Sequence, residues 1–167
     1  MKFMLDTNVF NRVLDEKIDI TVFNEHEVFA THIQHDEILK TKNENRREAL
    51  LKVFAEMINV QIPTSSAVAG VSVAGGACAS ADAILPTETA AWGTSNWRGA
   101  KWSKNDGSFE DMRRDLDALN KGKNNNTQDI LIAETAFRND LILVSSDVDL
   151  CKVMDKHGGQ SVSPEDI

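Results

Sequence analysis

Acidic side chains are the residues of this sequence best placed to do chemistry. Several of them directly follow, or begin, segments whose apolar pattern predicts a strand or a helix. Carboxylates in such positions can cap helices, act as general acids or bases, or bind metal ions. The candidates lie in four separate segments of the chain: Asp6, Asp36 or Glu37, Asp129, and Asp147 with Asp149.

The segments around these acids predict strands that alternate with helices. Short apolar or β-branched runs predict strands at 2–5, 27–32, 60–62, 141–144 and 160–162. Helical periodicity predicts helices at 8–14, 33–42, about 49–57, 109–119, 127–139 and 148–156. This alternation is typical of an α/β three-layer sandwich around a central parallel sheet. In such a sheet the strands end at one shared edge, so the acids are expected to converge there.

A convergent group of carboxylates repels itself unless a cation neutralises it. Oxygen ligands without cysteine favour Mg²⁺ or Mn²⁺ over zinc. Each acid also has a simpler interpretation, in which Asp6 and Asp147 are N-caps, Asp129 complements a helix dipole and Glu37 is a solvated helix residue. A histidine zinc site in ATHIQHDE is less favoured, because His32 and His35 have no second pair of histidines at ligand spacing.

The middle of the chain has a different composition from its two ends. The 167 residues fit a single domain, 1–167, interrupted by an irregular segment rich in Ala and Gly at about 64–108. Residues 77–85 and 88–92 within it are expected to be helical, since a structureless segment of this length is unusual. The segment also contains Trp92, Trp97 and Trp102.

Charge and cysteine usage narrow the functional class. The net charge of −8 argues against binding nucleic acid through a broad basic face. Residues 1–37 and 124–167 each hold three basic and eight acidic side chains, which would either surround a cation or simply keep the surface soluble.

The two cysteines, Cys78 and Cys151, are far apart and predict a reduced, cytoplasmic protein. No segment of the sequence is apolar enough for a signal peptide or a membrane span.

Four motifs, taken in order, resemble the PIN domain, a metal-dependent ribonuclease fold that includes VapC-type toxins. Met4-Leu5-Asp6-Thr7-Asn8 matches the first motif of the family, and an acid early in the helix after the second strand is matched by Glu37, with Asp36 as a less favoured substitute. The third motif is matched by Asp129-Ile130-Leu131-Ile132-Ala133, and the fourth by Ser145-Ser146-Asp147-Val148-Asp149-Leu150. The resemblance covers about 1–62 and 109–167.

The resemblance implies hydrolysis of RNA phosphodiester bonds by one or two Mg²⁺ or Mn²⁺ ions. The catalytic metal ligands would be Asp6, Glu37, Asp129 and Asp147, with Asp149 as a further candidate. Thr7, Asn8 and Ser145 would orient those carboxylates or a water molecule through hydrogen bonds.

The resemblance also implies partners. RNA would be the substrate, an antitoxin protein would be a partner, and a homodimer stays open. RNA contacts are expected from Lys40, Lys42, Arg46 and Arg47, or from Arg98 to Lys104 including Lys101, with base stacking on the three tryptophans. The 91 residues between Glu37 and Asp129 exceed what compact toxins of this family have, and packing against the core is an equal explanation for the tryptophans.

Two other functions compete with the ribonuclease. A catalytically weak interaction module would use the acidic pocket to receive a basic residue of a protein partner. A phosphate-transfer α/β domain fits less well, because Asp6-Thr7-Asn8-Val9 lacks the second aspartate of a DxD nucleophile motif.

Overall fold

The computed structural model describes residues 1–68, 85–86, 101–103 and 106–167. Its centre is a five-stranded sheet in which every neighbouring pair of strands is parallel. The strands are β1 (Lys2–Leu5), β2 (Glu27–Ala30), β3 (Val60–Gln61), β7 (Ile142–Val144) and β8 (Gln160–Val162), in the spatial order β3-β2-β1-β7-β8. The predicted α/β class with a central parallel sheet is therefore confirmed.

Six α-helices lie in the described residues and cover both faces of this sheet. They are α1 (Thr7–Leu14), α2 (His32–Leu39), α3 (Glu44–Met57), α4 (Ser108–Asn120), α5 (Asn126–Arg138) and α6 (Val148–Lys156). The predicted second strand is too long, because Thr31 caps α2. Its hydroxyl accepts a hydrogen bond from the Ile33 amide, and the Gln34 side chain accepts one from the Thr31 amide, which together form a capping box.

Alternation along the strands builds two separate cores. Met4 and Leu143 face one side of the sheet, where the apolar faces of α4, α5 and α6 pack over them. Phe3, Leu5 and Val144 face the other side, against side chains of α1 and α3. Because successive strand residues point to opposite faces, both sides of the sheet are buried and the molecule has three layers.

A second, small sheet belongs to the irregular segment. It consists of β4 (Ala67–Val68), β5 (Leu85–Pro86) and β6 (Lys101–Ser103), antiparallel in the order β4-β6-β5. Leu85 is thus in a strand, whereas the rest of the predicted helices at 77–85 and 88–92 lies outside the described residues. The same holds for Trp92, Trp97, Arg98 and Lys104, so their predicted roles stay predictions.

Both ends of the irregular segment are attached to α5. The Ser65 amide donates a hydrogen bond to Thr135 Oγ1 at 3.0 Å. The Arg138 guanidinium contacts Asp106 at 2.7 and 2.9 Å and also Glu134 Oε1 at 2.7 Å. Glu134 is fully buried, which raises the pKa of its carboxyl, and the charge of Arg138 opposes that rise. The segment therefore leaves and rejoins the domain within one turn of a helix.

None of the helices in the part of the chain that the structure describes is both long enough and apolar enough to cross a bilayer.

Candidate active site

Strand register brings the two ends of the chain together at one edge of the sheet. Leu5 of β1 pairs with Val144 of β7, so the next residues, Asp6 and Ser145, leave the sheet side by side. The Ser145 hydroxyl donates a hydrogen bond to Asp6 Oδ2 at 2.6 Å and accepts one from the Asp147 amide at 3.0 Å. The convergence expected at the carboxyl ends of the strands is thus present for Asp6 and Asp147.

Asp6 combines helix capping with membership of the acidic group. Its Oδ1 accepts a hydrogen bond from the Thr7 amide at 2.6 Å at the start of α1, and its Oδ2 accepts one from Asn8 Nδ2 at 2.5 Å. The Asp6 side chain is nevertheless only 4% exposed and faces other carboxylates. Asp6 therefore caps α1, as the capping interpretation predicts, and it also lies among the other carboxylates.

Glu37 reaches the same region from α2. Its Oε2 accepts a hydrogen bond from the Thr7 hydroxyl. The orientation of α2 is set by Gln34, a fully buried residue that donates from Nε2 to the Leu5 carbonyl at 2.8 Å. The neighbouring Asp36 instead lies 3.9 Å from His35 Nδ1, so Glu37 is the acid of α2 that contacts the site.

Asp129 lies in the first turn of α5 and is 7% exposed. Its Oδ2 accepts a hydrogen bond from Asn125 Nδ2 at 2.9 Å. The sequence reasoning did not identify Asn125 or Gln34 as site residues. The Thr31-x-x-Gln34 pattern is a recognisable capping box and could have located Gln34, whereas nothing in the run of three asparagines singles out Asn125.

The four carboxylates Asp6, Glu37, Asp129 and Asp147, called the acidic cluster below, influence one another. Burial raises the pKa of Asp129 to about 8, and the negative charges of Asp6, Glu37 and Asp147 add to that rise. Burial also raises the pKa of Asp6 to about 6, with Glu37 and Asp147 contributing and the Ser145 hydrogen bond opposing. The pKa of Glu37 is raised mainly by burial. Burial thus disfavours the charged forms of Asp6, Glu37 and Asp129, and repulsion between carboxylates adds to this effect at Asp6 and Asp129.

Two lysines lie against acids at the C-terminal side of the site. Lys123 Nζ is 3.7 Å from Asp147 Oδ2, while Asp147 Oδ1 caps α6 by accepting from the amides of Asp149 and Leu150. The Asp149 carboxylate is 3.3 Å from Lys152 Nζ. Sequence reasoning missed Lys123, because the acid that it contacts, Asp147, lies 24 residues later in the chain.

The chemistry of these donors fits a hard divalent cation. The acidic cluster offers only oxygen ligands. Burial raises the pKa values of Asp6 and Asp129, and neighbouring carboxylates, whose charge a cation would neutralise, add to the rise. In the conformation described, no three His, Cys, Asp or Glu side chains of the described residues surround one point closely enough to hold an ion. Binding would therefore require these side chains to turn toward a common point. The zinc alternative gains no support, since the His35 ring packs on Phe54 at 5.7 Å.

Some of the basic residues expected to contact RNA already bond to other groups of the protein, and others are exposed. Arg46 forms two contacts with Asp15, at 2.7 and 3.1 Å, and Arg47 bonds the Thr41 carbonyl at 3.2 Å. Lys42 is exposed, and the charge of Lys40 opposes the rise in the pKa of Glu37. Lys101 lies in β6, and Arg98 lies outside the described residues. Lys40, which directly follows α2, thus has a charge that acts on Glu37, a member of the acidic cluster.

Comparisons with known proteins bear on the fold. No family model matches the sequence, and neither does any curated protein. A chain of the crystal structure of VapBC2 from Rickettsia felis, bound to a DNA fragment from their promoter, matches with a TM-score of 0.53 at 14% identity, over 98% of each chain. A chain of VapBC-1 from nontypeable Haemophilus influenzae matches with a TM-score of 0.52 at 15% identity, over 99% of each chain. The likeness extends over nearly the whole length and shows a shared fold.

Proposed function

From this PIN-like three-layer fold and its acidic cluster, we propose that the chain is a cytoplasmic, divalent-metal-dependent endoribonuclease, the toxin of a toxin–antitoxin pair. The observation that carries the proposal is the convergence of Asp6, Glu37, Asp129 and Asp147 from four segments. Burial raises the pKa values of Asp6, Glu37 and Asp129, and neighbouring carboxylates add to the rise at Asp6 and Asp129. A fold-stabilising role alone does not account for such a group, because buried carboxylates that repel one another destabilise the folded state.

Each residue of the site has a separate task in this proposal. The acidic cluster would hold Mg²⁺ or Mn²⁺, which supplies a water nucleophile at neutral pH and neutralises charge on the phosphate. Thr7 bonds Glu37, and Asn8 and Ser145 bond Asp6, so these hydrogen bonds limit the orientations from which the carboxylates would turn toward an ion. Gln34 keeps α2 and its Glu37 against the end of β1.

The proposed partners follow from two different observations. RNA is proposed as the substrate because a divalent ion held by the acidic cluster would favour attack of water on a phosphodiester. An antitoxin is proposed as a protein partner because the structures that share the fold are VapBC complexes. Both partners belong to the proposal and are open to direct test.

Cleavage of single-stranded RNA by the purified chain tests the activity. We expect cleavage in Mg²⁺ or Mn²⁺, loss of cleavage in EDTA, and loss in Asp6→Asn, which keeps the size of the side chain but removes its charge. Asp155→Asn is the matched control and should cleave as the wild type does, because Asp155 is exposed on α6 and its carboxylate accepts from Ser161, outside the acidic cluster. Circular dichroism and thermal unfolding show whether each variant is folded. Wild-type rates in a folded Asp6→Asn would refute the site assignment.

A catalytically weak interaction module is the second candidate function. The observation in its favour is that a lysine ammonium, that of Lys123, already lies 3.7 Å from Asp147, which shows that the acidic cluster accommodates a basic side chain. In that case a basic residue of a partner would occupy the site, and the purified protein would cleave no RNA with either metal. Metal-dependent cleavage that EDTA abolishes rules this candidate out.

A further inference from the structure

Lys123 is a cation that the loop between α4 and α5 brings to the acidic cluster. Its ammonium is 3.7 Å from Asp147 Oδ2, and its charge lowers the pKa of Asp129 against the effect of burial. Asp147 follows β7 and Asp129 begins α5, so one lysine acts on carboxylates from two different elements. This position makes Lys123 a partner of the cluster itself.

The loop that carries Lys123 has a defined conformation. Lys121 and Gly122 have φ values of 60° and 69°, so the chain turns sharply at the end of α4. Beyond them, the fully buried Asn126 donates to Asp117 Oδ1 at 2.6 Å and to Asn120 Oδ1 at 2.7 Å. The backbone amide of Asn126 also donates a hydrogen bond to the Lys123 carbonyl at 3.2 Å. The backbone of Lys123 is therefore held on both sides.

Two other basic residues near the site, Arg12 and Lys152, pair with groups outside the acidic cluster. The Arg12 guanidinium bonds Ser146 Oγ at 3.0 Å and pairs with Glu165 in the C-terminal segment. Lys152 pairs with Asp149 within α6. Lys123 differs from these two in that its ammonium contacts a carboxylate of the acidic cluster, which is one of the proposed metal ligands.

We propose that Lys123 is the internal counter-cation of the metal-free acidic cluster, and that a divalent ion must displace its ammonium from Asp147 in order to bind there. This inference rests on the proposed function for the identity of the metal ligands. The lysine and the divalent ion compete for the same oxygen atoms, so the ion pair sets how much metal the site needs. Lys123 is thus a positioning residue that lowers the affinity of the cluster for metal and keeps Asp147 paired in its absence.

Titration calorimetry with Mn²⁺ tests this inference without any RNA. In Lys123→Gln the competing ammonium is lost, and we expect Mn²⁺ to bind about twofold to fivefold more tightly, the range that follows from the strength of an exposed ion pair. Lys121→Gln, two residues earlier on the same loop, removes an equal charge and measures the general electrostatic effect. Lys123→Arg restores the cation and should return the affinity toward that of the wild type.

The side chain of Lys123 is 54% exposed, so its replacement removes no core contact. Unchanged or weaker Mn²⁺ binding in Lys123→Gln would overturn the inference, as would an equal gain in Lys121→Gln or a wild type that binds no Mn²⁺. RNA cleavage by the wild type is measured separately. A wild type that binds Mn²⁺ with the expected dependence on Lys123 but cleaves no RNA would refute the proposed ribonuclease and leave the role of Lys123 intact.

Discussion

The Ser145 hydroxyl donates a 2.6 Å hydrogen bond to Asp6 Oδ2 across a separation of 139 residues in the sequence. This bond joins the loops after two adjacent central strands, β1 and β7. It also opposes the rise in the pKa of Asp6 that burial produces. A small side chain thereby keeps a buried carboxylate closer to its charged form.

Ser145→Ala should weaken the site without removing a carboxylate. The variant leaves the Asp147 amide without its hydroxyl acceptor and Asp6 without one donor, which costs about 1–3 kcal/mol of folding free energy. It should also raise the pKa of Asp6 further and lower Mn²⁺ affinity at pH 6. Ser146→Ala is the control, since the hydroxyl of Ser146 accepts from Arg12 and does not contact Asp6. Calorimetry and denaturant unfolding measure both effects, and equal behaviour of the two variants would contradict the prediction.

Replacement of the two adjacent acids on α2 should separate their roles. Glu37→Gln removes the carboxylate that Thr7 orients, so we expect at least about a 100-fold loss of metal-dependent RNA cleavage, beyond the usual range for outer-shell partners. Asp36→Asn changes a carboxylate that lies next to His35 and should retain cleavage within about twofold of the wild type. Cleavage rates at saturating Mn²⁺ distinguish the two acids. A larger loss of cleavage in Asp36→Asn than in Glu37→Gln would make Asp36 the acid of α2 in the site.

The pH dependence of stability should have an unusual sign in metal-free protein. The pKa of Asp129 is raised from 3.8 to about 8, so the folded state binds more protons than the unfolded state between these pH values. Stability from this group is therefore complete below about pH 4 and is lost as the pH rises through about 8. We expect the melting temperature in EDTA to fall between pH 5 and 8.

Two comparisons test the origin of that fall. Asp129→Asn has no titrating carboxyl at this position, so its melting temperature should depend less on pH and exceed that of the wild type at pH 8. Mn²⁺ should reverse the trend in the wild type, because metal binds the deprotonated carboxylates and stabilises the folded state more as the pH rises. A wild type whose metal-free stability increases from pH 5 to pH 8 would contradict the assignment of Asp129.

The irregular segment should be removable without loss of the fold. Val68 and Lys101 are paired residues of antiparallel strands, so an Asn-Gly turn in place of residues 69–100 would close them into a hairpin. The contacts of Ser65 with Thr135 and of Asp106 with Arg138 remain in this variant. We expect cooperative unfolding and unchanged Mn²⁺ affinity. RNA affinity is measured by fluorescence anisotropy in Ca²⁺. It should fall if Trp92, Trp97 and Arg98 bind RNA. An unchanged affinity would favour the explanation that the tryptophans pack against the core.

Much of the fold was predictable because the hydrophobic periodicity of each element matches the layer that buries it. The strands at Lys2–Leu5 and Ile142–Val144 and the helix at Val148–Lys156 have bounds close to those predicted. The convergence of Asp6 and Asp147 followed from the parallel sheet alone. Periodicity is lost in the irregular segment, and with it the basis for predicting structure there.

The finer features of the site depend on relations that the sequence does not express locally. Asp36 and Glu37 are neighbours on one helix and point about 100° apart. Which of them contacts the site depends on the rotation of α2, which the bonds of Gln34 to Leu5 and of Thr7 to Glu37 determine. Lys123 reaches Asp147 only because α4 and α5 pack side by side, a tertiary relation between distant segments.

The pairing of β1 with β7 has a consequence for the timing of synthesis. The strand β1, which precedes Asp6, is synthesised well before β7 and Ser145, because Ser145 lies 139 residues after Asp6. The acidic cluster of a growing chain on the ribosome is therefore incomplete until β7 has emerged. Until then Asp6 has no hydrogen bond from the Ser145 hydroxyl. A long-range closure of this kind is a late event in folding. For the proposed ribonuclease, this order delays activity until β7 has emerged and paired with β1.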